Sequence, residues 1–161
     1  MPPRVPTHAP AKASAAAGSL RLQDQACFAL YSAMLGVHKV YRKLLRTLDL
    51  TYPQYLVLLV LWEHDRLTVS QIGERLYLDS ATLTPLLKRM QALELIERSR
   101  DPADERRVLI ELSARGRALR ARAASIPAAV AQAAGCPLHE LADLRDRLAT
   151  FRDRLLAGND D

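Results

Sequence analysis

The hydrophobic positions of this chain change period along its length, and each change marks a boundary. From about Leu20, the residues Cys27, Tyr31, Met34, His38, Tyr41, Leu45 and Leu48 recur in alternating steps of four and three. That spacing is the seam of a helix that packs against another helix. Phe28, Leu30, Leu35, Val37 and Leu44 widen the apolar surface, so this helix is expected to meet more than one neighbour. Asp49-Leu50-Thr51 interrupts the pattern, and Tyr52-Pro53 opens a second helix, proline suiting its first turn. Tyr55, Leu56, Leu58, Leu59, Leu61 and Trp62 make that helix apolar nearly all round, hence central. Thr68-Val69-Ser70 begins a short third helix ending near Leu76, and a tight turn at Leu78-Asp79 follows. The fourth helix sets Leu83, Leu86, Leu87, Met90 and Leu93 on one face. Asp79 or Ser80 is its expected N-cap. Pro85 requires either a later cap or the loss of one backbone hydrogen bond.

After Leu93 the period falls to two, first in Ile96, Arg98 and Arg100 and again in Val108, Ile110 and Leu112. The polar run Asp101-Pro102-Ala103-Asp104-Glu105 between them predicts a two-stranded hairpin with a long tip. Ser113 then caps a fifth helix, which Pro127 should kink and Gly135-Cys136-Pro137 should end. Leu138, Leu141, Leu144, Leu148, Phe151 and Leu155 form the seam of a last helix. The predicted fold is mainly α with a small β-hairpin. A winged helix-turn-helix occupies 49–112, and 19–48 with 113–158 form a helical dimerisation region. The N- and C-terminal helices are expected to pair across a two-fold axis, because their seams have no obvious partner within the chain. Residues 1–18, with Pro2, Pro3, Pro6 and Pro10, read as a disordered tail outside one compact domain.

Composition sharpens the picture. The chain has 161 residues, 49% hydrophobic and only 5% aromatic, with a net charge of +5. That balance suits an anionic partner, nucleic acid before membrane. No run of eighteen apolar residues occurs, so no membrane span is expected and a cytoplasmic location is inferred. Ten of the 23 Lys and Arg residues lie between 85 and 122. On the outer face of the fourth helix, Ser80, Ala81, Thr82, Thr84 and Pro85 are small enough to enter a major groove, with Lys88 and Arg89 behind them for phosphates. Arg106 and Arg107, expected at the base or flank of the hairpin, are placed to reach the adjacent minor groove of double-stranded DNA. Asp104 is expected to pair with Arg106 and fix the wing tip. Arg115, Arg117, Arg120 and Arg122 read as a solvated face.

Two cysteines lie far apart. A free cysteine is ordinarily a small buried hydrophobe. Cys27, however, has Tyr31 one turn away on its own helix face. Tyr41 shares that face but lies roughly 21 Å along a straight helix at about 1.5 Å per residue, so it can meet only the Cys27 of an antiparallel partner. Phenolic donors to the sulfur, and a helix start about two turns away, favour the reactive thiolate. Cys136 sits in a helix break, either as a bystander or as a thiol able to capture an oxidised Cys27. His8, His38, His64 and His139 are scattered, and neither a metal site nor a cofactor loop is legible.

The segments Cys27-Phe28-Ala29-Leu30-Tyr31, Leu50 to Leu59, Leu61-Trp62-Glu63-His64, Leu76 to Met90 and Asp104-Glu105-Arg106-Arg107-Val108 resemble the multiple-antibiotic-resistance regulator (MarR) family. They are most similar to its organic hydroperoxide resistance branch. Ala81 departs from the branch, which often has glycine there. The resemblance implies a homodimeric repressor, not an enzyme, that leaves a pseudo-palindromic operator when an organic hydroperoxide oxidises Cys27. It implies that Tyr41 and Tyr52 reach that cysteine from the partner subunit, with Tyr31 nearby, and that Cys136 closes an intersubunit disulfide. Two other readings remain open at this point: the same fold released by a reversible phenolic ligand, and a thiol peroxidase with two working cysteines.

Overall fold

A computed structural model describes residues 19–158, so the tail expected over 1–18 lies outside the described residues. The described residues fall into two compact units divided between Gly36 and Val37. A short 3-10 turn, Leu22–Asp24, precedes helix α1 (Ala26–Leu45), and a second one, Arg46–Leu48, follows it. Helix α1 therefore begins later than the start expected near Leu20, though just ahead of the first seam residue, Cys27. Asp49, with φ 54°, turns the chain into α2 (Tyr52–Glu63), where Pro53 occupies the first turn. The buried Gln54 side chain accepts the Thr51 N–H at 2.8 Å, closing the start of that helix. Tyr55, Val57, Leu58, Val60 and Leu61 of α2 are buried, so it is the central helix.

One strand escaped the sequence reading. Leu67–Thr68 (β1) pairs antiparallel with β3 (Asp104–Leu112), which also pairs with β2 (Ile96–Asp101), giving a three-stranded sheet in the order β1-β3-β2. The hairpin tip is shorter than expected. Both strands run into the polar segment, leaving only Pro102 and Ala103 between Asp101 and Asp104, with a bulge at Arg100/Asp101. Asp101 supports this turn by accepting the Ala103 N–H at 3.0 Å.

The fifth helix does not kink; it breaks. Helix α5 (Ala114–Ala123) ends and α6 (Ile126–Ala134) starts afresh with Pro127 in its first turn. Pro127 has no N–H for the carbonyl of Ala123, four residues back, and the first helix stops there. Gly135, at φ 62°, ends α6, and α7 (Leu138–Ala157) follows Pro137.

Leu45, Val57, Leu58, Leu61, Ile72, Leu83, Leu87, Met90, Leu95, Ile96 and Ile110 are fully buried and form the core. Leu93, expected on the buried face of the fourth helix, instead follows that helix as its C-cap and is exposed. Three of the four arginines expected to be solvated are anchored. Arg115 donates to the Leu93 carbonyl at 2.9 Å, Arg117 pairs with Asp65 at 2.8 Å, and Arg122 donates to the Thr47 carbonyl. Asp65 also accepts the N–H groups of Leu112 at 2.8 Å and Arg66 at 2.9 Å. Partial burial pushes its carboxyl up, but these hydrogen bonds and Arg117 outweigh it and hold the group below its ordinary value.

The start of α5 is welded to the segment after Met90. The Ser113 hydroxyl donates to the Glu94 carbonyl and accepts the Gly116 N–H at 3.0 Å. A Cβ on Gly116 would fall 2.1 Å from the Leu95 carbonyl oxygen, so only glycine permits this approach. The Trp62 indole N–H donates to the Gly116 carbonyl at 3.0 Å, tying α2 to the same point.

Candidate nucleic-acid interface and thiol centre

Helix α3 (Val69–Leu76) is started by a reciprocal cap. The Thr68 hydroxyl accepts the Gln71 N–H at 3.2 Å, and the Gln71 side chain accepts the Thr68 N–H at 2.9 Å. It ends on Tyr77, at φ 56°, and the Leu78 N–H returns to the Gly73 carbonyl at 3.0 Å. A Cβ on Gly73 would stand 2.6 Å from the Leu78 carbonyl oxygen, so this tight turn depends on glycine. Asp79 then caps α4 (Ser80–Ala92), accepting the Thr82 N–H at 2.6 Å. The hydrogen bonds from Thr82, the backbone one first, hold the Asp79 carboxyl below its ordinary value. The cap thus lies before Pro85, and the price is the hydrogen bond Pro85 cannot give to Ala81.

Leu83, Leu86, Leu87 and Met90 face the core. Ser80, Ala81, Thr82, Pro85, Lys88 and Arg89 are exposed, and Thr84 is half-buried. At 100° per residue, Ala81, Thr84, Pro85 and Lys88 share the outward side. On the wing, Arg106 and Arg107 are exposed on β3, close to the tip. The expected Asp104–Arg106 ion pair does not form among the described residues. Asp104 instead accepts the Arg106 backbone N–H at 3.1 Å, which orders the strand and leaves the guanidinium outward. Arg100 is committed within the wing, donating to the Glu105 carbonyl at 3.0 Å.

A tyrosine cluster lies in the second unit. The Tyr41 and Tyr52 rings are 4.5 Å apart, Tyr55 stands 5.8 Å from Tyr41, and His38 is 5.7 Å from Tyr52. Burial, followed by the neighbouring Tyr52 and Tyr55, pushes the Tyr41 phenol up to about 12; burial raises Tyr52 and Tyr55 as well. All three stay neutral, so their O–H groups are donors at physiological pH. Tyr55 was not anticipated, although its three-residue spacing from Tyr52 on a helix was the available signal.

In the first unit, Cys27 is a free, exposed thiol in the first turn of α1, closer to the helix start than expected. Tyr31, one turn on, is exposed and stacks on Phe28 at 6.4 Å. Cys136 is free and half-buried in the break before α7, and its Sγ–H donates to Glu140 at 3.2 Å. That bond, then desolvation, holds the thiol above its ordinary value, so it remains protonated near neutrality.

A capped helix-turn-helix, a three-stranded sheet and a basic hairpin define a winged-helix DNA-binding regulator. Residues 39–122 match the transcriptional regulator SarA/Rot family. The chain is 50% identical over 136 residues to the HTH-type transcriptional regulator TtmR of Methylorubrum extorquens (strain PA1), covering 84% of this chain and 70% of that protein. It is 46% identical over 136 residues to the organic hydroperoxide resistance transcriptional regulator of Bacillus subtilis (strain 168), covering 84% of this chain and 92% of that one. Among solved structures, reduced AbfR bound to DNA matches with a TM-score of 0.66 and 32% identity, over 84% of this chain and 95% of that chain. Disulfide-formed AbfR matches with a TM-score of 0.59 and 33% identity, over 81% and 91%. AbfR is a protein of Staphylococcus epidermidis. The chain belongs to the MarR-like SarA/Rot family of transcriptional regulators. That membership removes the thiol peroxidase reading, because the family consists of regulators and not enzymes.

Proposed function

We propose that this regulator is a homodimeric, cytoplasmic repressor that leaves its operator when an organic hydroperoxide oxidises Cys27. One observation carries the reading: an exposed free thiol opens α1 in a chain 46% identical to a hydroperoxide resistance regulator. The hydroperoxide ROOH transfers one oxygen to the thiol, giving Cys27 sulfenic acid and ROH. Cys136 of the partner subunit then attacks that sulfur; an S–S bond forms and the hydroxyl leaves as water with the Cys136 proton. Cys136, held protonated beside Glu140, is a poor direct target for peroxide, which supports Cys27 as the thiol oxidised first. Neutral Tyr41 and Tyr52 supply O–H donors toward the partner's sulfur, with Tyr31 beside it.

In the reduced dimer, two copies of α4 would enter successive major grooves about 34–36 Å apart on a pseudo-palindromic operator. Lys88 and Arg89 would hold phosphates, and Arg106 and Arg107, on a wing ordered by Asp104, would enter the minor groove. Half-exposed leucines along α7, among them Leu144 at 49%, and Met34 and Leu35 of α1, at 47% each, support pairing of these helices between subunits. The test is operator binding in dithiothreitol and after cumene hydroperoxide. Wild type should release only when oxidised, and Cys27→Ser should stay bound in both. Release of the serine variant by peroxide would end the redox reading.

A second reading is favoured by the cleft of about 270 Å³ lined by Tyr55, Leu59, Trp62 and Arg120. A small phenolic ligand held there would release DNA reversibly. Recovery by dialysis without reductant distinguishes it from the thiol mechanism.

A further inference from the structure

Sequence-specific regulators read bases chiefly through long side chains that form paired hydrogen bonds: Arg on guanine, Asn or Gln on adenine. Helix α4 has none in its first two turns. Its outward surface there is Ala81, Thr84 and Pro85, flanked by Ser80 and Thr82, and the first long polar side chains are Lys88, Arg89 and Gln91. Three features make this more than an inert surface. The Asp79 cap and the Gly73–Leu78 turn fix the helix start tightly. Leu83, Leu86 and Leu87 pin the opposite face in the core. The matched AbfR chain, with the same winged-helix fold, was solved on DNA. What this start can offer a major groove is a set of carbon surfaces: the Ala81 Cβ, the Thr84 Cγ2 and the Pro85 ring methylenes. The complementary feature of a base pair is the thymine 5-methyl group, the one apolar projection in that groove.

We infer that Ala81, Thr84 and Pro85 determine operator specificity by packing on thymine methyl groups, so that each half-site centre carries thymines where α4 enters. The inference rests on the operator-binding reading above and specifies its ligand. Lys88 and Arg89, each about one turn after Thr84 and Pro85, then serve the backbone and not the base code.

The test uses the full-length reduced protein and a pool of duplexes with a randomised core. The strongest selected duplex is remade with deoxyuridine for thymidine in both half-site centres, which deletes the methyl groups and leaves base pairing intact. Affinity should fall about fourfold for each methyl removed, the value of burying one carbon. Thr84→Ser, which deletes the side-chain methyl and keeps the hydroxyl, should shrink the thymine-to-uracil ratio. Thr84→Val, which keeps a methyl and deletes the hydroxyl, should preserve that ratio. Equal binding to both duplexes, or a ratio lost in Thr84→Val and kept in Thr84→Ser, overturns the inference and leaves the operator reading standing. A pool that yields no enriched sequence overturns both.

Discussion

The reading head and the terminal helices are built to opposite rules. From α2 to the start of α5 the chain buries most of its large aliphatic side chains at least in part, and Thr68, Asp79 and Ser113 cap its helix starts. Helix α7, twenty residues long, has no buried residue at all, and the early seam positions Tyr31 and Met34 of α1 are open. A single chain therefore packs its head internally and leaves these terminal seam positions exposed. In the homodimer proposed above, the head answers to packing within one chain and the terminal helices to concentration and partner.

This contrast can be broken by substitution. Leu87→Ala, in the fully buried centre of the head, should cost about 2–5 kcal/mol by chemical denaturation, independently of protein concentration. Gly116→Ala forces the α5 start away from Leu95 and should cost about 1–3 kcal/mol in the same measurement. Leu144→Glu on α7 should leave the helical circular dichroism unchanged but weaken self-association at least tenfold by sedimentation, about 1.4 kcal/mol. A loss of helicity in that variant would place α7 within the subunit's own core. The smallest effect is a pH dependence. The Asp65 carboxyl is held below its ordinary 3.8, so it contributes stability above that value and loses the contribution as pH falls through its lower folded value. Asp65→Asn should be less stable near neutrality and should flatten the acid limb of the wild-type stability curve.

Much of the head was legible because its signals are local. Thr68 with Gln71, Asp79 with Thr82 and Ser113 with Gly116 are all three residues apart, and the buried stripe of α4 follows a helical period. What stayed hidden depends on distant backbone. Strand β1 has two residues, and only Leu109 and Ile110, more than forty positions away, make it a strand. Arg115 and Arg122 bond to carbonyl oxygens, which every residue carries and no residue type announces. The Asp104–Arg106 difference has the same origin: opposite charges two residues apart suggested an ion pair, and a main-chain N–H took the carboxylate. Cys136 and Glu140 were readable by their four-residue spacing, but the Pro137 break concealed that they face each other.

The bare approach of Gly116 to Leu95 reaches past this one sequence. The joint combines main chain with the Ser113 hydroxyl and the Trp62 indole, so it is held by residues of the head itself. A chimera spliced inside 113–116 should unseat the head, while one that exchanges the helices after Ala124–Ser125 should keep it seated as long as an apolar residue replaces the buried Ile126. In engineering terms, 113–116 is the stretch where the chain should not be cut.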